Sequence, residues 1–159
     1  MSISDMIVVM KDGILQQIGA PQTVYDDPTN LFVAKFLGTP PVGVYDAWVK
    51  GGKLCIGDEA VLDVPGVPDG ELTAAIRPEG YVLTENGALT AKLLNVEVMG
   101  RDISIVSVHP ATGNTPVRSI ISAENLAQIK GDTVRFDLKR AKVYLFDKST
   151  EERIRFDVK

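Results

Sequence analysis

The stretch LFVAKFLGTPP, residues 31–41, decides the fold of this chain, because the sequence pattern changes there. Its first seven positions are mostly apolar and recur at helical spacing. Pro28 suits the first turn of a helix, and Asp27 before it offers a carboxylate to cap the free backbone N–H groups. We therefore predict a short apolar helix from Pro28 to Leu37, which needs a larger body to lie against.

This helix is predicted to end abruptly at a linker. Gly38 favours the left-handed conformation that stops a helix, and Pro40 and Pro41 cannot continue one. We expect Phe36, Gly38, Pro40 and Pro41 to form a hinge-like connection between the two parts of the chain.

The residues before the helix predict a β-hairpin and a helical turn. Residues 7–10 are an apolar run that suits a strand covered on both faces, Asp12-Gly13 suits a turn, and residues 14–18 return. Pro21 opens the helical turn. A hairpin and two small helices do not make a stable body alone. We expect this segment to pack on the following β region, to pair with another copy, or to be poorly ordered.

The residues after the linker predict a mainly β region. Short extended segments alternate with turns rich in glycine and asparagine, which is typical of a small barrel or sandwich. Asn86-Gly87 is the strongest hairpin signal in the chain, and Ser122 suits the cap of one helical turn. The predicted strands lie at residues 44–49, 54–56, 71–77, 81–84, 89–99, 103–108, 117–121, 133–138, 142–146 and 153–157.

Three groups of residues carry a family resemblance. Residues 7–21, 24–28 and 32–38 form the first group, Ala75-Ile76-Arg77-Pro78-Glu79 the second, and residues 131–147 the third. Together they resemble the ATPase subunits of ABC sugar importers of the maltose and multiple-sugar type, and the likeness is densest in the first group.

The resemblance implies a division of the chain into two domains. Residues 1–38 resemble the tail of the ATP-binding domain, with residues 2–5 fitting the positions that follow its switch histidine. Residues 39–159 resemble the regulatory domain of the same subunits, an oligonucleotide-binding-type (OB, TOBE) barrel with extra strands. In the full-length parent, ATP and magnesium would bind upstream of this chain, so we expect no cofactor here.

The chain offers no loop for holding phosphate groups. The nearest match, Gly51-Gly52-Lys53, lacks the following hydroxyl residue and suits a hairpin turn instead. We therefore expect no ATP hydrolysis and no enzymatic activity from this chain. His109 and Cys55 are the only histidine and cysteine, whereas a zinc site needs three or four ligands. We interpret His109 as a turn residue and Cys55 as a small buried apolar residue.

Composition and charge limit the classes of partner. The 159 residues are 45% hydrophobic and 24% charged, with a net charge of −4. The acidic balance argues against nucleic acid and anionic membrane surfaces. No apolar run has the length of a membrane span, and a single cysteine suits a reducing compartment. With the resemblance, this implies a cytoplasmic location at the inner face of the cell membrane, reached through permease subunits without direct membrane insertion.

Arg77-Pro78-Glu79 is the most informative small motif. A proline-stiffened corner holds opposite charges at the end of a predicted strand. It is either a solvated turn with an ion pair worth under about 1 kcal/mol, or a fixed corner that contacts the ATPase domain or the twin subunit. Arg77, Pro78 and Glu79 are therefore candidate interface residues, and Arg101 after Gly100 is a further one.

Other side chains carry weaker signals. Tyr45 and Trp48 lie on opposite faces of one predicted strand, so we expect one in the core and the other exposed. Lys139, Arg140 and Lys142 form a basic cluster, which we interpret as a solvated edge that discourages strand addition.

Three functions follow from these observations. The first is a non-catalytic regulatory module that forms a homodimer: two such domains pair while the ATPase halves open and close, and a regulatory protein holds one arrangement. The second is an oxyanion (molybdate-like) site, suggested by related barrels and by Ser122-Ala123-Glu124-Asn125, although Glu124 would repel an anion. The third, binding of single-stranded nucleic acid, is opposed by the acidic charge and by 6% aromatic content.

Overall fold

A computed structural model describes residues 6–38 and 40–157. The predicted fit of residues 2–5 and the predicted domain boundary at Thr39 lie outside the described residues. The N-terminal segment consists of β1 (Ile7–Lys11), β2 (Ile14–Gly19), α1 (Pro21–Asp26) and α2 (Leu31–Phe36). The predicted hairpin and helices are therefore confirmed.

The start of α2 differs from the prediction. Asn30, and not Asp27, caps the helix, because its side-chain oxygen accepts a hydrogen bond of 3.0 Å from the N–H of Val33. Asp27 instead follows the end of α1, where its N–H donates to the carbonyl of Thr23. Gly38 adopts a φ of +111°, which agrees with the predicted stop after the helix.

The described part of the β region forms two antiparallel sheets. One has the strand order β13-β12-β6-β3-β4-β5, and the other has the order β10-β9-β8-β11-β7. Edge strands β7 and β10 of the second sheet approach each other, which gives a nearly closed five-stranded barrel. The strands are β3 (Gly43–Lys50), β4 (Lys53–Ile56), β5 (Glu59–Asp63), β6 (Gly70–Ile76), β7 (Tyr81–Leu83), β8 (Leu89–Met99), β9 (Asp102–Val108), β10 (Val117–Ser122), β11 (Thr133–Leu138), β12 (Val143–Asp147) and β13 (Arg153–Ile154).

One hydrophobic core lies between the two sheets. Ile56 and Ile76 of the six-stranded sheet and Ile105 and Phe136 of the five-stranded sheet are fully or almost fully buried in it. Tyr45 and Tyr81 are both buried, and their hydroxyl groups form a hydrogen bond of 2.7 Å. Burial raises the pKa of Tyr45 to about 12. The predicted fold, a mainly β small barrel with extra strands after a hairpin and two helices, is confirmed. We call the part from β3 to β13 the β body.

The hairpin predicted at Asn86-Gly87 does not form. Strands β7 and β8 flank this turn, but each pairs with β11, which lies between them. A Cβ on Gly87 would lie 2.5 Å from the backbone N and C atoms of Phe136. Glycine is needed here because β11 passes close to the turn.

Cys55 is also not where the sequence predicts. Its side chain is partly exposed on β4, with the thiol sulfur 3.9 Å from the carbonyl oxygen of Lys53. Apolar neighbours in the sequence suggest burial, but Leu54 and Ile56 point to the opposite face and are the buried residues.

Candidate functional site

Arg77 lies at the corner where the chain leaves one sheet for the other. The residue is 0% exposed, and its guanidinium enters the N-terminal segment. It donates hydrogen bonds to three backbone carbonyls, those of Tyr25 at 2.7 Å, Ala34 at 2.8 Å and Leu37 at 2.9 Å. One side chain of the β body thus satisfies the free carbonyls at the ends of both short helices.

Aromatic rings and a carboxylate surround this arginine. The guanidinium carbon lies 4.0 Å from the ring centre of Tyr25 and 5.4 Å from that of Tyr144. The hydroxyl of Tyr25 donates to the carboxylate of Glu79, at 2.8 Å to the nearer oxygen. Burial, together with Glu79, raises the pKa of Tyr25. Pro78 is buried and begins the single 3-10 turn that holds Glu79 in place.

A second polar contact joins the N-terminal segment to the last strand. The carboxylate of Asp27 lies 3.0 Å from the guanidinium of Arg153 and 2.7 Å from that of Arg155. The hydrogen bond from Arg155 is the largest cause that lowers the pKa of Asp27. Arg153 also donates to the carbonyl of Pro28 at 2.8 Å and stacks on Tyr144 at 4.8 Å.

The helix α2 adds an apolar contact between these two polar ones. Leu31 and Ala34 are buried against Ala75, Tyr144 and Phe146 on the outer face of the six-stranded sheet. The sequence left open whether the N-terminal segment packs on the β region, pairs with another copy or is poorly ordered. In the structure, the segment packs on the β body.

The linker residues lie at the edge of the contact between the N-terminal segment and the β body. Phe36 is mostly exposed and lies 6.1 Å from the ring of Phe32. A Cβ on Gly38 would lie 3.2 Å from the ring of Tyr25 and 3.6 Å from Arg77. Pro40 is partly buried and Pro41 is exposed.

One face of the N-terminal hairpin is uncovered. Its cross-strand pairs Val8 with Ile18 and Met10 with Leu15 are exposed, whereas Val9 between them is 0% exposed. The prediction that β1 is covered on both faces is therefore wrong for the described residues. We call this surface the hairpin face; its members, all at least half exposed, are Met6, Val8, Met10, Leu15 and Ile18.

We call Arg77 and the side chains around it, Tyr25, Glu79 and Tyr144, the Arg77 cluster. Arg101 lies apart from this cluster. It is exposed in the turn between β8 and β9, and its carbonyl accepts a 2.8 Å hydrogen bond from the N–H of Ala123. Large apolar side chains near it in the chain are exposed, with Val98 at 68% and Met99 at 57%. With Leu126, which is also exposed in the neighbouring 3-10 turn, we call these residues the strand tip.

The remaining candidates are placed as follows. Tyr45 is buried and Trp48 is exposed, which confirms that one of the two lies in the core and identifies it as Tyr45. The basic cluster is only partly a solvated edge: Lys139 is exposed, but Arg140 donates to the carbonyls of Asp63 and Asp157, and Lys142 lies 3.5 Å from Asp26. The latter two cations have partners far along the chain, which no local pattern signals.

The motif that suggested an oxyanion site, Ser122-Ala123-Glu124-Asn125, contains the carboxylate of Glu124, which would repel an anion. A 3-10 turn, Ala123–Gln128, follows Ser122, whose hydroxyl accepts a 3.4 Å hydrogen bond from the N–H of Glu124. Within residues 6–38 and 40–157, no group of three or more His, Cys, Asp or Glu side chains is arranged to hold a metal ion. None of the helices in the same ranges is long and apolar enough to cross a membrane.

Sequence reasoning missed the partners of Arg77 and Asp27. The contact of Asp27 with Arg153 spans 126 positions, and the contact of Arg77 with Tyr25 spans 52. The resemblance singled out the Arg77 motif, but nothing in the sequence indicated that the guanidinium is buried.

No family model matches the chain. The chain is 27% identical over 165 residues to the sn-glycerol-3-phosphate import ATP-binding protein UgpC of Psychromonas ingrahamii, and the match covers 100% of this chain and 44% of that protein. It is 33% identical over 159 residues to the alpha-glucoside transport ATP-binding protein AglK of Rhizobium meliloti, with coverage of 92% and 43%. The chain therefore spans less than half the length of these relatives.

One similar solved structure is the cytoplasmic molybdate-binding protein ModG with molybdate bound. The TM-score is 0.43 at 14% identity, and the match covers 64% of this chain and 93% of that chain.

Proposed function

Because this chain belongs to the family of ATP-binding proteins of ABC sugar importers and matches their C-terminal part, we propose that it is a non-catalytic regulatory module of such a subunit. In the full-length subunit, ATP and magnesium bind in the part that precedes this chain. Permease subunits hold the complex at the inner face of the cell membrane. Two β bodies pair as a homodimer, and a regulatory protein acts on their arrangement.

The observation that supports this proposal most directly is the buried guanidinium of Arg77. Three carbonyls of the N-terminal segment depend on one side chain of the β body. A displacement of the segment therefore either carries the β body along or breaks buried hydrogen bonds. Coupling between two sites requires contacts that differ in free energy between two states, and we assign that role to these hydrogen bonds.

The linker of Phe36, Gly38, Pro40 and Pro41 is the proposed hinge. Arg77 limits its range, because the carbonyl of Leu37 lies within the linker and accepts from the guanidinium. While these bonds hold, bending is confined to the residues after Leu37. Their release would free the whole linker.

Two uncovered apolar surfaces fit two different partners. Exposed apolar patches of this kind mark interaction surfaces. The hairpin face lies on the segment that resembles the tail of the ATP-binding domain, so we assign it to the rest of that domain. The strand tip, which includes Arg101, lies on the β body, so we assign it to the twin subunit.

The experiment is the molar mass in solution by light scattering over a concentration series. The wild-type chain is expected to approach twice its own mass as concentration rises. Val98→Lys at the strand tip is expected to leave it monomeric, and Ile18→Lys on the hairpin face, the matched control, is expected to pair as the wild type does.

Two outcomes would contradict this assignment. A monomer at every concentration would remove pairing by the β body. Loss of pairing in Ile18→Lys with pairing retained in Val98→Lys would place the contact on the hairpin face, so that the twin does not meet the β body.

A further inference from the structure

A pocket on the outer side of β3 is lined by residues that have no role in the proposed function. Its volume is about 530 Å³. Asp46 and Trp48 of β3 line one side, the turn of residues 57–59 lines another, and residues 109–111 close it. It shares no residue with the Arg77 cluster, the hairpin face or the strand tip.

Trp48 supplies a flat apolar surface in this pocket. It is the only tryptophan in the chain and is 39% exposed, whereas Tyr45 on the other face of the same strand is buried. An exposed indole on a rigid strand keeps its position without the cost of ordering a flexible side chain.

His109 supplies a hydrogen-bond donor. Its side chain is 8% exposed, and its Nδ1 accepts a 2.9 Å hydrogen bond from the N–H of Ala111. The neutral ring therefore carries its proton on Nε2. Within residues 6–38 and 40–157, Nε2 has no hydrogen-bond partner. Burial lowers the pKa of His109, with Glu59 opposing, so the ring stays neutral at physiological pH.

The edge of the imidazole that carries Nε2 faces the turn at Gly57. A Cβ on Gly57 would lie 3.3 Å from Cε1 and 3.6 Å from Nε2. Gly57 has a φ of +61° and no side chain, so this approach to the donor remains open.

Carboxylates supply the acceptors. Asp58 is exposed at the rim, and Asp46 is paired with Lys148. Glu59 accepts two hydrogen bonds from Thr90, at 2.9 Å from the N–H and 2.6 Å from the hydroxyl, which fixes its position. Each carboxylate oxygen has more than one lone pair, so acceptor capacity remains.

A flat apolar ring beside one N–H donor and several carboxylate acceptors matches one ligand chemistry. A hydroxyl group accepts from the imidazole and donates to a carboxylate, and the C–H face of a sugar ring covers the indole. An organic cation would suit the indole and the carboxylates but would leave the Nε2–H donor without an acceptor. We propose that this pocket binds a neutral saccharide, with Trp48 as the stacking surface, His109 as the donor and Asp58 as the principal acceptor.

The single tryptophan makes the test direct. Trp48 fluorescence of the full chain is followed while glucose or maltose is added, with a matched volume of buffer as the reference. A saturable change is expected for at least one of the two sugars. Asp58→Asn is expected to weaken binding about tenfold, the loss of one charge-assisted hydrogen bond. Asp12→Asn, the same exchange in the hairpin turn of the N-terminal segment, is expected to bind as the wild type does.

Three results would overturn the proposal. One is the absence of a saturable change with both sugars. Another is a sugar affinity of Asp58→Asn equal to that of the wild type, together with unchanged sugar binding by Trp48→Phe in calorimetry. The sugar would then bind elsewhere on the chain. The third is a saturable response to tetramethylammonium chloride with none to the sugars, which would make the pocket a cation site. The proposal does not depend on the proposed function, since it concerns only ligand binding by this pocket.

Discussion

The N-terminal segment and the β body are held together in different ways. The β body buries the inner faces of two sheets in one core. The segment buries only a small cluster around Val9, Val24 and Val33 and leaves the hairpin face open. It is fixed by the apolar side of α2 and by the hydrogen bonds of Arg77 and Asp27. The segment therefore depends on a few specific contacts, while the β body depends on packing spread over many residues.

The largest expected effect tests the dependence of the segment on one side chain. Arg77→Met keeps an apolar side chain of similar length but leaves three backbone carbonyls, one of them buried and two partly buried, without their donor. Each unsatisfied buried group costs about 1–3 kcal/mol, so we expect the free energy of unfolding in urea to fall by about 3–5 kcal/mol.

The control for this variant is another arginine. Arg118→Met removes an ion pair of 3.0 Å with Glu97 in which both side chains are well exposed. We expect a loss under about 1 kcal/mol, because surface ion pairs are screened by water. Equal losses in the two variants would show that Arg77 has no special place in the molecule.

The packing of the β body is tested at Gly87. Gly87→Ala places a methyl group 2.5 Å from the backbone of Phe136, so β11 or the turn must shift. Overpacking of this kind costs about 1–3 kcal/mol, and we expect the upper end by urea unfolding because the clash is with backbone. Gly100→Ala meets nothing within 4 Å and is strained only by its φ of +80°, so we expect about 1 kcal/mol there. A Gly87→Ala chain as stable as the Gly100→Ala chain would contradict the close approach of β11.

The contact of Asp27 with the last strand is tested by pH. The folded-state pKa of Asp27 is lowered, so its contribution is present above the unfolded pKa, near about 4, and is lost as pH falls through the folded pKa. Because the carboxylate is half exposed, we expect Asp27→Asn to cost no more than about 1 kcal/mol at about pH 7.

The measurement is the urea midpoint of the wild type and of Asp27→Asn as a function of pH. The difference between the two is expected to shrink as pH falls below about 4 and to vanish at lower pH. A difference that stays constant through this range would assign the effect of the variant to the shape of the amide and not to the charge of the aspartate.

The smallest expected effect concerns the uncovered face. Ile18 is mostly exposed, so Ile18→Lys is expected to change the free energy of unfolding by less than about 0.5 kcal/mol. Val9→Lys on the opposite face of the same hairpin buries a charge and is expected to unfold the segment. Thermal unfolding of the two variants compares them, and a large loss in Ile18→Lys would mean that the hairpin face is covered in solution.

The features that the sequence predicted are those with local causes. The alternation along β3 predicted that one of Tyr45 and Trp48 is buried and the other exposed, and Gly38 marked the end of α2. Turn chemistry was misleading at Asn86-Gly87, because a strand that begins at Thr133 enters between the two strands the turn connects. Asp27 has the chemistry of a cap, but Arg153 and Arg155 compete for its carboxylate from the other end of the chain. The burial of Arg77 could not be predicted, because its three acceptors lie 40–52 positions away.

Amide hydrogen exchange of the wild type and of Arg77→Met tests whether this arginine joins the N-terminal segment to the β body, since it reports each segment separately. In the wild type, the amides of α1 and α2 are expected to be protected. In Arg77→Met, we expect that protection to fall strongly while β3, β6 and β12 stay protected as before. Equal protection of α1 and α2 in both chains, or a uniform loss across the β body, would contradict the claim that this one arginine joins the two parts.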